Sequence, residues 1–571
     1  MSSVIAGGSS VLGGQIDRAN IAYIGVSSLF INVLSICLPV FSLQLYDRIL
    51  VNQSIGTLAV LSAGVLVCII LEVALRLIRS HMMTWAGATY EHHVTCRAVD
   101  HLFKAEPLSV ERSGVSVNLQ SMAAISKLRD FIGGQATVCL IDLPFVLIYL
   151  ALIAFVAGHL VIVPLTLLAL FTFLAWFGGL EIKKALIEHE SASQHRVNFL
   201  IETLGDIHSV KAMAAEAGFL RRYERMQRQI SELNHRLSFA SGGAVVIGSL
   251  CSQMMVVAVT GFGASMVVDG AISVGTLIAS VLLSGRIMQP IQRALSLWIR
   301  YHDMQLAKTR VQSLFSPAVV VDAAGLEETE REGQLELRDL VFDYGDEGAE
   351  PIIDGVSLSL KRGDIISVSA SGAAGKSTLL KLMAGLARPT PGSVLIDGVD
   401  AHRFSAEQLA SHVGYLATTG TIFNGTVREN LSGFDPKAEV TGIDMARLLG
   451  IDDVITSLPL GYETLLRDSG SDAIPTGLRQ CIALARVLAR RPRLLLFDNA
   501  DRALDRDNYN HLYRLLGRLK GVVSMVIISD DRNFVRMAKQ EYTLADGKLT
   551  THQVKTDSKA HNVSGFRQLR L

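Results

Sequence analysis

Six apolar stretches occupy most of the first half of the chain and restrict what it can fold into. A helix that crosses a bilayer needs about 20 apolar residues, because its backbone polar groups must be hydrogen-bonded within the lipid core. Each of the six stretches meets that length. They lie near residues 20–43, 55–79, 133–156, 158–180, 242–268 and 272–296. We therefore predict an all-α, six-helix transmembrane domain.

The loops between these stretches alternate in length and predict the orientation of the chain. The connections at 44–54, 157 and 269–271 are short, whereas those at 80–132 and 181–241 are long and rich in Arg, Lys and His. Basic loops favour the cytoplasmic side of a membrane. We therefore expect a multi-pass protein in contact with membrane lipid, whose N-terminus, long loops and C-terminal half are cytoplasmic.

Charged side chains within the spans are candidates for positions inside the helix bundle. Glu72 and Arg76 lie on one helix face, where they either pair with each other or line the interior. Asp142 and Arg286 lie close to prolines in the third and sixth spans. Asp142 is either a residue of the substrate path or a cap or kink-stabilising residue, and the sequence leaves both alternatives open.

The composition excludes several classes of partner and site. The 53 basic residues balance the 53 acidic ones, so charge gives no argument for nucleic acid as a partner. The six cysteines lack metal-ligand spacing and are expected to be reduced. The N-terminus has no basic region followed by an apolar core, so no removable signal peptide is predicted.

The segment from Ala370 to Thr378 has the composition of a phosphate-binding loop. It joins an apolar strand to a helix, where backbone N–H groups and the helix N-terminus attract phosphate. In this pattern Lys376 reaches the terminal phosphates and Ser377 binds Mg²⁺, while Ala370 replaces the usual first glycine. The candidate residues of the loop are Ala370, Gly372, Ala373, Ala374, Gly375, Lys376, Ser377 and Thr378.

Two residues outside the loop complete a candidate site for ATP and Mg²⁺. Tyr344 precedes the loop and is placed to stack on an adenine ring, although an ordinary sheet aromatic is the alternative. Asp498 ends an apolar strand, which is the usual position of an aspartate that holds Mg²⁺. Ser377 and Asp498 are therefore the predicted metal ligands.

Six spans followed by a nucleotide domain resemble an ABC exporter half-transporter over roughly residues 20–550. The membrane half is similar to that of type I secretion ATPases, which export large proteins. The segments that carry this likeness are 41–48, 141–145, 209–212 with 215–216, and 283–286. With about 20 residues before the first span, the N-terminal peptidase-like domain of many relatives is expected to be absent.

The resemblance implies a domain order that ends in an α/β P-loop ABC ATPase domain. The predicted parts are an N-terminal tail at 1–19, a transmembrane domain at 20–315, a linker at 316–333, the nucleotide-binding domain at 334–555 and a C-terminal tail at 556–571.

The resemblance also implies departures at the catalytic positions. Thr418 stands at the position of the Q-loop glutamine, Asn499 at that of the catalytic glutamate and Asp530 at that of the switch histidine. Asp505 matches the D-loop aspartate. The family's signature motif is replaced by Ile474, Pro475, Thr476, Gly477 and Leu478.

These substitutions predict that ATP is bound but hydrolysed slowly or not at all. Asn499 is neutral and cannot act as a general base, and Asp530 places a negative charge where the γ-phosphate would lie. Losing one electrostatic donor at such a site costs on the order of 10²–10³ in rate. Intrinsic ATPase activity is therefore expected to be weak.

The resemblance implies a subunit of an ATP-driven exporter of a protein or peptide in the bacterial inner membrane. Both kinds of defect fall on one chain, so a heterodimer with an intact half-transporter is favoured over a homodimer. Membrane-fusion and outer-membrane secretion proteins are the further expected partners. Two alternatives stay open, namely a non-hydrolysing, ATP-sensing pseudo-ATPase scaffold and an exporter of lipid or polysaccharide.

Overall fold

A computed structural model describes residues 18–317, 332–344, 350–370, 372, 374–466 and 474–552. Ala373, the predicted C-terminal tail and most of the predicted linker and N-terminal tail lie outside these residues. The chain divides into two units. The first contains residues up to 318 except 106–108, and the second contains 106–108 and the residues from 319 onward.

The first unit is helical throughout its described residues. Its helix Ile55–Lys104 has 50 residues and Glu216–Val268 has 53, so at about 1.5 Å per residue both extend well beyond a bilayer core of about 30 Å. The α-helices are Arg18–Leu34, Cys37–Gln44, Leu50–Asn52, Ile55–Lys104, Pro107–Ser113, Val115–Ile132, Gln135–Asp142, Phe145–Ala157, Ile162–Gly205, Ile207–Ala212, Glu216–Val268 and Val274–Ser313. A π-helical turn, Leu45–Ile49, and a 3-10 turn, Gly158–Val161, connect some of them.

Five stretches of the described residues are long and apolar enough to cross a membrane. They are Tyr23–Asn52, Ile55–Lys104, Phe145–Phe173, Glu216–Val268 and Val274–Arg293. The predicted third and fourth spans both overlap the stretch Phe145–Phe173, where two helices are joined by the 3-10 turn. The helical membrane domain is confirmed, whereas the count of six spans stays a prediction.

A buried polar network joins several helices of the first unit around Asp142. The Arg79 guanidinium lies 3.3 Å from Asp142 Oδ1, and the Asn32 amide donates to the same oxygen at 3.2 Å. Arg79 also donates to Ser28 Oγ at 2.7 Å, and the Tyr149 hydroxyl donates to Asn32 Oδ1 at 3.0 Å. Charges inside a membrane domain persist where they are paired in this way.

The structure tests the capping role of Asp142 and the pairing of Glu72, whereas the substrate-path and kink-stabilising roles of Asp142 stay predictions. Asp142 ends helix Gln135–Asp142, and helix Phe145–Ala157 begins without a side-chain cap. A helix-capping role for Asp142 is therefore wrong, because its carboxylate is taken by Arg79 and Asn32. Glu72 pairs with Arg76 at 2.5 Å, as one of the two alternatives predicted.

The second unit is built on a parallel sheet, as an α/β nucleotide domain requires. Its described strands, numbered β1–β12 in chain order, are Leu335–Phe342, Ile353–Leu360, Ile365–Ser369, Ser393–Ile396, Val399–Asp400, Val413–Leu416, Gly425–Thr426, Leu465–Leu466, Leu494–Asp498, Ser524–Ile528, Gln540–Ala545 and Lys548–His552. Its α-helices are Lys376–Met383, Ala406–His412, Val427–Ser432, Glu439–Leu448, Asp452–Thr456, Thr476–Ala489, Arg506–Leu519 and Arg532–Val535.

Strand order brings the ends of β3, β9 and β10 together. The described residues form one sheet in the order β12-β11-β3-β10-β9-β6 and a second in the order β2-β1-β4-β5. β3, β10, β9 and β6 run parallel. β9 and β10 are buried along their whole length, which explains their unbroken apolar sequences. Ligands of such sheets bind beyond the carboxyl ends of the strands.

Candidate nucleotide-binding site

The loop after β3 has the backbone of a phosphate cradle. Gly375 precedes helix Lys376–Met383 with φ of 85°, and Gly372 has φ of 64°. A Cβ at Gly375 would also lie 2.5 Å from Ile352 Cγ2, so only glycine fits. Ala370 is not among the described residues with positive φ, and alanine is therefore compatible with the backbone where the usual pattern has glycine.

Tyr344 and Lys376 lie against this loop. The Tyr344 hydroxyl and Thr378 Oγ1 are hydrogen-bonded at 2.9 Å, which places the aromatic ring beside the first turn of the helix. Lys376 Nζ donates to the carbonyl of Ala370 at 3.2 Å, so its ammonium group turns back over the loop. Ser377 is exposed at the helix N-terminus. These groups form one surface suited to a polyphosphate.

Asp498 lies at the carboxyl end of β9 and is 3% exposed. Tyr415, on the neighbouring strand β6, donates its hydroxyl to Asp498 Oδ2 at 2.9 Å. Thr418 donates to the backbone carbonyl of Asp498 at 2.8 Å. Thr418, which stands at the position predicted for the Q-loop glutamine, is therefore hydrogen-bonded to the carboxyl end of β9. Sequence reasoning missed Tyr415, whose only signal was its place near the end of an apolar strand.

Asn499 occupies a tight backbone position next to Asp498. Its φ is 47°, in the left-handed region that asparagine tolerates better than most residues. Its N–H donates to the carbonyl of Ile528 on β10 at 2.8 Å. The side chain is 8% exposed, and among the described residues its Oδ1 has no hydrogen-bond partner. A neutral amide thus lies at the position predicted for the catalytic base.

Asp530, which follows β10, forms an ion pair with Arg502, which follows β9. The hydrogen bond and charge of Arg502 hold the pKa of Asp530 below its ordinary value, and the charge of Lys376 acts in the same direction. Asp530 is therefore ionised at neutral pH. Sequence reasoning identified Asp530 but not Arg502.

Two family profiles match the chain. The profile of the ABC transporter transmembrane region matches residues 21–291, and the profile named ABC transporter matches residues 353–502. The chain belongs to the ABC exporter family. The second match identifies the phosphate cradle as part of an ATP-binding domain.

Curated relatives and a solved structure agree with this assignment of an ABC exporter. The alpha-hemolysin translocation ATP-binding protein HlyB of Escherichia coli O157:H7 is 26% identical over 525 residues, which is 92% of this chain and 74% of that protein. The leukotoxin export ATP-binding protein LtxB of Aggregatibacter actinomycetemcomitans is 25% identical over 527 residues, with the same coverage. The structure of a bacterial Atm1-family ABC exporter with ATP bound has a TM-score of 0.79 at 17% identity, covering 94% of this chain and 95% of that one.

The predicted signature segment of this ABC exporter lies at the start of helix Thr476–Ala489. Pro475 precedes the helix without a side-chain cap, Gly477 follows in its first turn, and Leu478 is buried. Ile474 and Leu478 pack in one hydrophobic core, whereas Tyr344 and Ala370 pack against the other. Within this chain the signature segment and the phosphate cradle therefore belong to separate cores.

Two further residues order the loops around the site. Asp505 caps helix Arg506–Leu519, since its Oδ1 accepts from the N–H of Asn508 at 2.8 Å. Gln480, which the sequence analysis did not select, donates to the carbonyls of Ala417 and Ala500 at 2.9 and 3.0 Å. It thereby joins the loops that follow β6 and β9.

Proposed function

We propose that this ABC exporter is a subunit of a type I protein or peptide secretion system of the bacterial inner membrane, and that it binds Mg·ATP but hydrolyses it slowly. Relatives that match 92% of the chain are named as toxin translocation and export proteins. The largely helical segments at 80–132 and 181–241 are rich in basic residues, which supports an orientation that places them and the ATP-binding domain in the cytoplasm.

One observation carries the proposal for the ATP site. The phosphate cradle, Lys376 and Asp498 are assembled, while the neutral Asn499 lies at the base position and Asp530 is ionised and paired with Arg502. ATP binding needs the cradle, Lys376 and Asp498. Hydrolysis needs a base and a phosphate-contacting donor at the positions that Asn499 and Asp530 occupy. The geometry therefore supports retention of nucleotide with little turnover.

The residues present fit a magnesium ion. Ser377 is exposed at the N-terminus of the helix that follows β3, and Asp498 offers a buried carboxylate at the carboxyl end of β9, two strands along the same sheet. Both are oxygen ligands of the kind that Mg²⁺ prefers. When bound, the ion supplies charge neutralisation for the phosphates. Tyr415 and Thr418 keep Asp498 and its backbone in one orientation.

The partner that best fits this chain is an intact second half-transporter. In the family each ATP site pairs the phosphate loop of one chain with the signature of the other. A homodimer would combine Asn499 and Asp530 with the substituted segment 474–478 at both sites. With an intact partner, one site keeps a full set of catalytic groups. Membrane-fusion and outer-membrane secretion proteins would complete the export path.

A non-hydrolysing ATP-sensing scaffold is the second candidate. The neutral Asn499, with its buried and unpartnered Oδ1, and the ionised Asp530 favour it, because both changes remove catalysis without removing the cradle. This candidate requires that ATP binding alone changes the state of the membrane domain. It differs from the first in needing no partner that hydrolyses ATP.

The deciding experiment measures ATP affinity and ATPase rate on the same sample of the full chain in lipid. We expect binding without appreciable turnover, and we expect Lys376→Ala to weaken binding at least tenfold, because it removes the ammonium group that faces the phosphates. Turnover by the chain alone that Lys376→Ala abolishes would contradict weak hydrolysis. Absence of ATP binding would contradict both candidate functions.

Tyr415→Phe is expected to raise the Mg²⁺ concentration needed for half-maximal ATP binding about fivefold. It removes the hydrogen bond that orients Asp498, and the net contribution of one hydrogen bond is about 1 kcal/mol, or roughly fivefold in an equilibrium constant. Tyr462→Phe is the matched control, since Tyr462 donates to the carboxylate of Asp452 elsewhere in the same unit. An equal change in both variants would contradict a specific role for Tyr415.

A further inference from the structure

The ion pair between Arg502 and Asp530 lies at the edge of the sheet where ligand binds. Arg502 follows the end of β9 and Asp530 follows the end of β10, and β3, which leads into the phosphate cradle, pairs with β10 on its other side. The charge of Lys376 acts on Asp530, and the charge of Asp498 acts on Arg502. The charge of Asp501 also acts on Arg502, so five charged groups lie at this edge of the sheet beside the phosphate cradle.

Asp530 alone would oppose nucleotide binding. An ionised carboxylate near the γ-phosphate repels it, and the pairing with Arg502 keeps that carboxylate ionised. Asp498 adds a second negative charge, which the metal ion offsets when it is bound. Asp501 adds a third, and among the described groups whose charges act on this pair Lys376 is the cation that opposes them, so Arg502 supplies the second positive charge.

We propose that Arg502 is an ATP-binding residue of this chain, whose guanidinium neutralises Asp530 and faces the terminal phosphate in the region that the family's switch residue serves. This inference rests on the proposed function, because it assumes that the cradle holds ATP. It assigns to Arg502 a role that the sequence analysis did not consider. Asp530 is then the anchor that holds the guanidinium in place.

The exposure of the pair argues against a purely structural role. The side chains of Arg502 and Asp530 are 58% and 65% exposed, and exposed ion pairs contribute little to folding. They remain open to a ligand that enters from solvent. Arginine suits this task because its planar group presents several N–H donors, so it can bond a carboxylate and a phosphate oxygen together.

The neighbouring acids show that the arrangement is selective for Asp530. Both oxygens of Asp501 accept from Ser529 Oγ, at 3.2 and 3.1 Å, so Asp501 acts on Arg502 through its charge. Asp531 accepts from the Tyr509 hydroxyl at 2.9 Å. Among the acids that follow β9 and β10 in the described chain, Asp530 is thus the one that bonds the guanidinium.

The test is the affinity of the full-length protein in lipid vesicles for Mg·ATP and Mg·ADP. Arg502→Ala is expected to lower ATP affinity about fivefold to tenfold and ADP affinity less, because ADP has one phosphate fewer near Asp530. Arg502→Lys should keep most of the affinity, since it keeps the charge. Adding Asp530→Asn to Arg502→Ala should restore part of the lost ATP affinity, because the uncompensated carboxylate is then gone while the bond from the guanidinium to the phosphate stays lost.

Arg338→Ala is the matched control. Arg338 pairs with Glu336 on strand β1, and the two side chains are 60% and 46% exposed. It should leave ATP affinity unchanged. If Arg502→Ala also leaves it unchanged while Lys376→Ala abolishes binding, the inference is wrong and the proposed function stands. If Asp530→Asn fails to restore binding to Arg502→Ala, or Arg502→Lys binds no better than Arg502→Ala, the charge-based role is overturned. Loss of ATP binding by the unmodified protein would instead overturn the proposed function.

Discussion

Asp142→Ala is expected to lower the stability of the membrane unit by about 3 kcal/mol. The change leaves the Arg79 guanidinium buried without its carboxylate partner. Both residues are 7% exposed, so water cannot hydrate the unpaired guanidinium in place of the carboxylate. Breaking a buried pair costs about 3–5 kcal/mol, and an unpaired arginine inside a membrane helix costs about 2.5–3.5 kcal/mol. Asn32 would also lose its acceptor on Asp142.

The measurement is the thermal unfolding of the full chain in lipid or mild detergent. Asp142→Ala combined with Arg79→Leu should recover most of the loss, because no charge is then left buried. Lys104→Ala is the matched control, since its pair with Asp100 is exposed and such pairs contribute little. Equal losses in the single and double variants would show that side-chain packing, and not the unpaired charge, sets the effect.

The parts of the fold that depend on local sequence were predictable. Length and apolarity alone predicted a helical membrane domain, because lipid leaves the backbone few alternatives. The phosphate cradle was predictable because Gly375 and Lys376 at the junction of a strand and a helix permit few other structures. Asp498 was expected beside the cradle, since parallel strands end at a common edge.

The parts that depend on distant residues were not predictable. Asp142 and its partner Arg79 are 63 positions apart, and the sequence around either residue does not indicate which residue it pairs with. Asp530 was expected to repel phosphate as an isolated charge, yet it is bonded to Arg502, 28 positions away. A single sequence gives the charge of a residue but not the neighbour that neutralises it. The effect of Asp530 on catalysis therefore depends on its pairing with Arg502.

Asn499→Glu combined with Asp530→His is expected to raise the ATPase rate about 10²-fold or more. The glutamate restores a group that can accept a proton from water, and the histidine offers the phosphate a hydrogen-bond donor in place of a carboxylate that is paired with Arg502. The backbone at Asn499 has φ of 47°, which glutamate tolerates less well, at a local cost of about 1–2 kcal/mol. That cost is small beside the expected change in rate. The measurement is phosphate release by the purified complex in lipid.

Asn499→Gln with Asp530→His is the control that isolates the base. Glutamine matches glutamate in size and strains the same backbone, but it cannot take a proton. It should therefore bind ATP as well as the glutamate variant does and hydrolyse it no faster than the unmodified protein. If both double variants accelerate equally, removal of Asp530 and release of Arg502 is the cause. If neither does, the limiting defect is the segment 474–478, whose first helical turn offers Thr476 and Gly477 after a proline in place of the family's signature, and catalysis then depends on the signature of the partner chain.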